Sequence, residues 1–350
     1  MPAEPNDVDV AVIGVGHMGT AHARVYGAVE GANLVAVVDR DAERAATVAD
    51  QYRCDAFTDV AQLLDKHPGL QAASVAVPTA AHRAAATPLL CRRIACLVEK
   101  PLAASVSEAR ALGAVAAEHG SILQVGHTER FNPAVQAIAA MSLKPRFVEV
   151  HRVSPMAFRS LDIGVVMDMM IHDLDIVLML ADSKVRRVDA TGIAVLGEGE
   201  DVANARLVFE CGCVANLTSS RLALKTERKM RVFSEHAYVS LDYQKRSGVI
   251  IRKSDNDAAL RQVREQVASG ADLSDLDYEK LVQVEQLQMD GDGDGHDPLT
   301  AQLTSFIQAV QQKRPPVVDA QAGYAAVEVA QRVIDAIGEH RWEGLADVRL

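Results

Sequence analysis

The sequence has no excess of positive charge. Its 350 residues include 36 Lys and Arg against 47 Asp and Glu, which gives a formal net charge of −11. Proteins that bind nucleic acid take much of their affinity from Lys and Arg side chains that neutralise phosphates. We therefore expect no nucleic-acid partner, although a small anionic ligand can still bind in a locally basic pocket.

Paired cysteines, metal-ligand clusters and a long apolar run are also missing. The five cysteines show no CxxC spacing and the eleven histidines no H-E-x-x-H motif, so we expect free thiols and no metal. The longest apolar tract, Val165–Ala181, contains three aspartates and a histidine and cannot span a membrane. The first seven residues lack the basic and apolar regions of a signal peptide. These absences predict a soluble cytoplasmic protein with no membrane partner.

The first 125 residues alternate strand-like and helix-like segments. Their apolar runs do not alternate with polar residues, which is typical of parallel strands buried on both faces. This half of the chain therefore predicts an α/β domain with a doubly wound parallel sheet. The predicted strands are Val8–Ile13, Leu34–Val38, Ala73–Val77, Cys96–Val98 and Ile122–Val125, and the predicted helices are His17–Val29, Ala42–Gln51, Ala81–Cys91 and Ser107–His119.

The pattern changes after residue 127. Short strands joined by short turns, several of them alternating apolar and polar residues, predict an α+β domain with a large, mostly antiparallel open sheet. We expect a linear division into domains 1–127 and 128–340 and a tail 341–350. The predicted strands are Phe147–Val153, Arg186–Val195, Ala203–Phe209, Val214–Leu222, Lys229–Phe233, Ala237–Asp242 and Gly248–Lys253, and the predicted helices are Val165–Leu180, Leu299–Gln312 and Ala320–Gly338.

A dinucleotide-binding motif follows the first predicted strand. Gly14, Gly16 and Gly19 fit G-x-G-x-x-G, with His17 and Met18 between the last two glycines. In a Rossmann fold, glycines at this spacing allow a tight turn, close approach of the pyrophosphate and close helix packing. The helix that begins here supplies amide hydrogens and a positive dipole end to the phosphates.

The second predicted strand ends at Asp39, 20 residues after Gly19. An acid at this distance accepts hydrogen bonds from the adenosine ribose and repels a 2′-phosphate, which favours NAD over NADP. Arg40 lies next to it and leaves the choice open.

Three further side chains have the chemistry of an oxidoreductase. Lys100 follows a buried strand at the carboxyl edge, where an ammonium could stabilise a developing alkoxide; a surface lysine paired with Glu99 is the alternative. Asp168 and His172 are four residues apart on a predicted helix, so a carboxylate could orient a basic imidazole. A solvated surface pair is the alternative there, but the strongly apolar flanks favour a cleft.

Together with the glycine motif, the segments 78–82, 99–101, 126–133 and 168–172 resemble the glucose–fructose oxidoreductase/inositol dehydrogenase (Gfo/Idh/MocA) family over nearly the whole chain. The most specific are Glu-Lys-Pro at 99–101 and the Asp-x-x-x-His pair at 168 and 172. The resemblance implies an NAD(P)-dependent sugar or polyol dehydrogenase with Lys100, Asp168 and His172 as catalytic residues. It also implies a homo-oligomer, a dimer or tetramer, formed through the C-terminal sheet. The implied cofactor-binding residues are Gly14, Gly16, His17, Met18, Gly19, Asp39, Arg40, Pro78, Thr79, His82, Glu99 and Lys100.

Residues 126–133 and 168–177 resemble the branch of the family that oxidises the 3-hydroxyl of UDP-N-acetylglucosamine for a lipid A precursor. For such a substrate, arginines after the cofactor domain could hold the diphosphate by paired hydrogen bonds, although each could equally be an ordinary surface arginine. Oxidation of a free sugar or inositol is the first alternative, and a non-catalytic dinucleotide-binding regulator is the second. The candidate substrate-binding residues are His127, Arg130, Asn132, Arg152, Arg159 and His172.

Overall fold

A computed structural model of the chain describes residues 7–156, 163–253, 261, 263, 265, 267–270, 282–288 and 297–341. Its strands are β1 (Val8–Ile13), β2 (Ala32–Val38), β3 (Asp55–Phe57), β4 (Ala72–Val75), β5 (Ala95–Glu99), β6 (Leu123–Gly126), β7 (Pro145–Val153), β8 (Val185–Ile193), β9 (Val202–Phe209), β10 (Val214–Ser220), β11 (Glu227–Ser234), β12 (Ala237–Asp242), β13 (Ser247–Lys253) and β14 (Val282–Gln288). Its α-helices are α1 (His17–Tyr26), α2 (Ala42–Tyr52), α3 (Val60–Lys66), α4 (His82–Cys91), α5 (Val106–His119), α6 (Pro133–Ala140), α7 (Ile171–Ala181), α8 (Pro298–Gln312) and α9 (Ala320–Glu339).

The first six strands form a parallel sheet in the order β3-β2-β1-β4-β5-β6. This is the doubly wound order of a dinucleotide-binding fold, in which ligands bind at the carboxyl ends where the strand order reverses. The remaining strands form an eight-stranded sheet in the order β14-β13-β12-β11-β7-β10-β9-β8, antiparallel except for the β7–β10 pair. Both halves of the predicted fold class are confirmed.

The described chain forms two compact units that interleave along the sequence. The first unit contains Met1–Asn132, Val166–Ile176 and Asp294–Asp335, and the second contains Pro133–Val165, Val177–Gly293 and Ala336–Leu350. The predicted boundary after residue 127 lies five residues before the first division point, and the linear division into domains 1–127 and 128–340 stays a prediction. Of the predicted tail, the structure describes only Arg341.

The core of the first unit shows why the C-terminal helices belong to it. Leu303, Phe306 and Ile307 of α8 are at most 1% exposed and pack in one cluster with Val10 and Val12 of β1. Backbone pairing adds to this, because the amide of Val125 donates to the carbonyl of Val318 at 2.9 Å. The face of the sheet near β1 is therefore closed by residues close to the end of the chain.

Local sequence signals set several helix ends. Ser105 accepts a hydrogen bond from the amide of Glu108 at the start of α5, and Asp297 accepts from two amides at the start of α8. Gly120 ends α5 with a left-handed φ of +64°, which glycine adopts without steric cost. Among the described residues, no helix is both long and apolar enough to cross a membrane.

Candidate functional site: the cofactor edge and the Lys100 cluster

The glycine motif forms a tight turn between β1 and α1. Gly14 has a φ of +83°, and a Cβ there would lie 2.9 Å from the carbonyl oxygen of Ala76. A Cβ on Gly19 would overlap the carbonyl oxygen of Gly14. A Cβ on Gly16, by contrast, would meet no described atom within 4 Å. Two glycines are therefore needed for packing, whereas Gly16 leaves open space of the kind a pyrophosphate requires.

The start of α1 suits a phosphate group. No described side chain caps the helix at Gly16, and the first two helical residues, His17 and Met18, are exposed. Their amides and the positive end of the helix dipole are thus left for an anionic ligand. Thr20 donates its hydroxyl to the carbonyl of Val15 at 3.0 Å and so ties the helix to the turn.

Asp39 lies directly after β2 and faces the glycine turn. Its Oδ2 accepts a hydrogen bond from the amide of Val15 at 2.9 Å, and its Oδ1 accepts one from the amide of Asp41 at 3.0 Å. Arg44 approaches Oδ2 at 3.5 Å, and Arg40 is exposed. These bonds fix the carboxylate beside the turn, which fits the ribose of NAD, and Oδ1 retains a lone pair that can accept a hydrogen bond from a hydroxyl.

The loop after β4 is held from inside by His82. Pro78 precedes a 3₁₀ turn, Thr79–Ala81, that leads into α4. The His82 ring is 1% exposed, with Nε2 3.0 Å from the carbonyl of Val77 and Nδ1 3.0 Å from that of Pro101. Burial lowers the pKa of His82, and the hydrogen bonds to these carbonyls oppose that shift without cancelling it. His82 therefore joins the Pro78 loop to the segment after Lys100.

Lys100 and Asp168 come together as a charged pair. Lys100 follows β5 and precedes a cis bond to Pro101. Its Nζ donates to the backbone carbonyl of Asp168 at 2.7 Å and to Oδ1 of the same residue at 3.2 Å. The Lys100 side chain is 18% exposed and that of Asp168 is 36% exposed, so both can be reached by a small molecule.

The segment that carries Asp168 and His172 is not a uniform α-helix. Val166–Met170 forms a π-helical turn, and His172 lies in the first turn of α7. Val166, Met170 and Ile171 are fully buried, whereas Asp168 and His172 are partly exposed. The apolar residues thus anchor the segment while its two titratable residues reach its accessible side; π-helical turns recur at functional sites.

Glu99 lies behind Lys100 and is buried. Its Oε2 accepts a hydrogen bond from the amide of Lys100 at 3.2 Å, and its Oε1 is 3.1 Å from Nε2 of His22. Burial by itself raises the pKa of Glu99, but the hydrogen bond from His22 and the nearby charges of His22 and Lys100 outweigh burial and lower it. The carboxylate is therefore held ionised next to the lysine.

Three predicted substrate-binding residues follow β6. His127 is 1% exposed, and neither ring nitrogen has a hydrogen-bond partner within the described chain. Arg130 makes a two-point ion pair with Asp175, with Nε to Oδ2 at 2.6 Å and Nη2 to Oδ1 at 2.7 Å. Asn132 is buried and donates to Glu129 at 3.2 Å. Burial lowers the pKa of the His127 imidazole; the negative charge of Asp175 opposes this shift, and the positive charges of Arg130 and Lys100 add to it.

The other two predicted substrate-binding arginines are Arg152 and Arg159. Arg152 lies on β7 in the second unit and is 4% exposed. Arg159 falls outside the described residues. The first unit therefore brings together Lys100, Asp168, His172, Glu99 and the residues after β6. Within the described residues, no three His, Cys, Asp or Glu side chains form a group that could hold a metal ion.

Sequence reasoning missed two partners in this group, His22 and Asp175. His22 shares the buried face of α1 with Gly19, Ala23 and Tyr26, so a histidine on an apolar helical face was its signal. Asp175 is 1% exposed and lies three residues after His172 in an apolar segment. A buried acid in such a segment requires a cation, and Arg130 supplies it.

Comparison with known proteins covers most of the chain. Residues 8–127 match a family described as "Oxidoreductase family, NAD-binding Rossmann fold", and residues 137–240 match the GFO/IDH/MocA C-terminal domain. UDP-N-acetylglucosamine 3-dehydrogenase of Acidithiobacillus ferrooxidans is 34% identical over 93% of this chain and 96% of that protein. A solved structure of that enzyme has a TM-score of 0.81, covering 95% of this chain and 98% of its own. Inositol 2-dehydrogenase of Acidothermus cellulolyticus is 29% identical over 54% of this chain and 58% of its own length.

Proposed function

The chain belongs to the GFO/IDH/MocA family of NAD-binding oxidoreductases, and we propose that it oxidises the 3-hydroxyl of UDP-N-acetylglucosamine. One observation carries this proposal: the similarity to the UDP-N-acetylglucosamine 3-dehydrogenase extends over 93% of the chain. Similarity limited to the dinucleotide domain would support only the cofactor. Full-length similarity also includes the residues that select a substrate, so it supports a sugar nucleotide.

The chemistry assigned to each side chain follows from its contacts. Bound NAD supplies the hydride acceptor. His172, partly exposed at the start of α7, accepts the proton of the substrate hydroxyl as a general base. Lys100 uses two of its three N–H donors on Asp168, and the third stabilises the substrate oxygen as it gains negative charge. Asp168 holds Lys100 and supports His172.

The cofactor-binding residues divide into those that touch the ligand and those that hold the turn. The open space at Gly16 and the uncapped start of α1 accept the pyrophosphate, and Asp39 binds the ribose. Pro78 and Thr79 line the same edge after β4. His82 and Glu99 are buried and act from behind, by holding the loops that carry Pro78 and Lys100.

The substrate diphosphate requires cationic donors even though the chain is acidic overall. We assign this role to Arg152 and Arg159, with Arg130 nearer the cofactor domain. Arg130 already uses Nε and Nη2 on Asp175, so it can offer only part of its guanidinium. His127 and Asn132, directly after β6, are assigned to the sugar.

The initial rates of NADH formation with UDP-N-acetylglucosamine and with free N-acetylglucosamine test the proposal. Both are measured at equal substrate concentration and saturating NAD. The rate with the free sugar should be far lower, because the nucleotide contributes binding energy that positions the reacting carbon. Equal or faster oxidation of the free sugar would overturn the sugar-nucleotide assignment.

Oxidation of inositol or a free sugar is the second candidate, supported by the similarity to inositol 2-dehydrogenase. The same assay with inositol as substrate separates the two. A regulator without catalysis would reduce NAD with neither substrate. The presence of Lys100, Asp168 and His172 argues against that reading, because a protein that only binds dinucleotide has no need of them.

We also propose that the chain works in the cytoplasm, in a lipid A precursor pathway, as a homo-oligomer assembled through its eight-stranded sheet. One face of that sheet carries Phe233, which is 36% exposed and lies 5.6 Å from Phe147 and 4.8 Å from Tyr238 between ring centres. Light scattering should give the mass of a dimer or tetramer for the wild type and a smaller mass for Phe233→Glu. A wild-type monomer would contradict it.

A further inference from the structure

His22 occupies a position that the proposed reaction does not use. It lies on α1, three residues after the last glycine of the turn, and is completely buried. Its Nε2 is 3.1 Å from Oε1 of Glu99 on β5. Since an ionised carboxylate can only accept, the imidazole donates this hydrogen bond.

Glu99 also bonds to the backbone of the segment that begins at Lys100, which we call the lysine loop. Its second oxygen, Oε2, accepts the backbone amide of Lys100 at 3.2 Å. A continuous buried path therefore runs from the helix that begins at the dinucleotide turn to the backbone of the residue whose Nζ bonds to Asp168. The path has two hydrogen bonds and contains a carboxylate whose side chain is only 10% exposed.

The surroundings leave His22 and Glu99 little freedom. The ring of Tyr26, one helical turn along α1, meets the His22 ring edge-on at 6.5 Å between centres. The Tyr26 hydroxyl is in turn 2.8 Å from the hydroxyl of Ser74 on β4. On the other side, a Cβ on Gly126 would lie 2.8 Å from Oε1 of Glu99. Glycine at the end of β6 thus makes room for the carboxylate, and the pair is built into the sheet edge.

We propose that His22 is a positioning residue for Lys100: its hydrogen bond fixes the Glu99 carboxylate, which holds the backbone of the lysine loop beside the dinucleotide turn. This role rests on the proposed function of Lys100. It also explains why a carboxylate and its hydrogen-bond donor are kept in otherwise apolar surroundings, where an unpaired charge is costly.

The test compares two replacements of His22. In His22→Gln the side-chain amide can still donate to Glu99, whereas in His22→Leu the donor is lost and the bulk is retained. The first readout is hydrogen exchange of the Lys100 backbone amide, which needs neither substrate nor turnover. We expect protection close to wild type in His22→Gln and clear loss of it in His22→Leu.

The second readout is steady-state kinetics with whichever sugar or polyol the wild type oxidises. His22→Leu should lower kcat roughly tenfold, since misplacing a reacting group costs up to about 10²-fold, with little change in KM for NAD. His22→Gln should retain most of kcat. His67→Gln is the matched control, because His67 makes the same kind of contact with Asp55 at 3.0 Å on the exposed edge of the sheet. It should change neither readout.

Glu99→Gln covers the case in which His22→Leu does not fold. This variant replaces the ionised carboxylate with a neutral amide, and it should lower both kcat and the protection of the Lys100 amide, because a neutral amide oxygen accepts hydrogen bonds less strongly than a carboxylate. Equal behaviour of His22→Gln and His22→Leu, or full protection of the Lys100 amide in His22→Leu, would overturn the positioning role. If no sugar is oxidised by the wild type, the proposed function fails, while amide exchange still decides the role of His22.

Discussion

The two sheets place their polar side chains differently. In the parallel sheet, polar groups gather at the carboxyl ends of the strands, where Asp39, Glu99 and His127 are each less than half exposed. In the eight-stranded sheet they alternate along the strands, as shown by the pair between Arg231 of β11 and Glu149 of β7 at 2.7 Å. Arg206 and Asn216 make a similar cross-strand contact at 3.0 Å.

The two kinds of polar group differ in how much stability is lost when a partner is removed. A charge buried at a strand end requires its partner, because the unpaired charge would remain out of water. A charge on an open sheet face returns to water when its partner is lost. The strand ends of the first unit are therefore where substitutions should affect chemistry and stability most.

The largest effect is expected from breaking the buried Arg130–Asp175 ion pair, which we compare with the exposed Arg231–Glu149 pair. Asp175 is 1% exposed in its pair with Arg130, whereas Arg231 and Glu149 are 40% and 33% exposed. Arg130→Ala should lower the free energy of unfolding by about 3–5 kcal/mol, because it leaves a buried carboxylate unpaired. Arg231→Ala should lower it by about 1 kcal/mol or less. Urea denaturation of both variants checks the comparison, and equal losses would remove the distinction between the sheets.

The second prediction concerns turnover. Lys100→Met and His172→Asn should each lower kcat by about 10²-fold or more, the scale of a lost oxyanion-stabilising or acid–base group. NAD affinity should hardly change, because the glycine turn is intact. Lys229→Met serves as the control, because Lys229 pairs with Glu227 at 3.2 Å on the other sheet. If a variant kept near-normal turnover but lost NAD binding, the residue replaced in it would be structural rather than catalytic.

Alanine substitutions at three glycines separate losses of stability from losses of NAD binding. Gly19→Ala should cost about 1–3 kcal/mol of stability and also NAD binding, because the new Cβ overlaps the carbonyl of Gly14. Gly248→Ala in the second sheet, where a Cβ would lie 2.8 Å from the side chain of Leu241, should cost stability alone. Gly16→Ala should weaken NAD binding with stability unchanged. Thermal unfolding measures the stability of the three variants, and NAD titration measures their affinity for the cofactor. A loss of stability in Gly16→Ala would contradict the prediction that this glycine serves NAD binding alone.

The smallest effect is expected at Asp39. Asp39→Ser should weaken NAD binding about tenfold, the value of one charged hydrogen bond, and relax discrimination against NADP. The control is Asp189→Ser, because Asp189 pairs with Arg187 at 3.0 Å on β8. This variant should leave the affinities for NAD and NADP unchanged. Titration of NAD and NADP against the variants gives the ratio. An unchanged ratio in Asp39→Ser would remove the assignment.

The sequence predicted features that depend on local pattern. The run of β1, the glycine turn and Asp39 are coded within about forty residues, and the structure has each where the pattern puts it. β3 was missed because Asp55–Phe57 is three residues long and mostly exposed, too short for a periodic signal. The sequence also predicted a plain helix for Val166–Met170, where the structure has a π-helical turn.

Contacts between distant residues could not be predicted in the same way. His22 and Glu99 are 77 residues apart, and Arg130 and Asp175 are 45 apart. Each pair forms because two elements that are distant in the sequence meet in the folded first unit, and neither local sequence indicates the partner. For the same reason, the sequence predicts Arg130 as a ligand-binding residue without indicating its ion pair with Asp175.

The packing of α8 against β1 has a consequence for the nascent protein. Residues 1–132 leave the ribosome before Leu303, Phe306 and Ile307, which cover their apolar core. At the usual ~5–20 residues per second, about 10–40 s of translation separate residue 132 from residue 335. During that interval the apolar surface around Val10 and Val12 stays uncovered, a state that chaperones recognise. Truncation of the chain after residue 300 would make that exposure permanent.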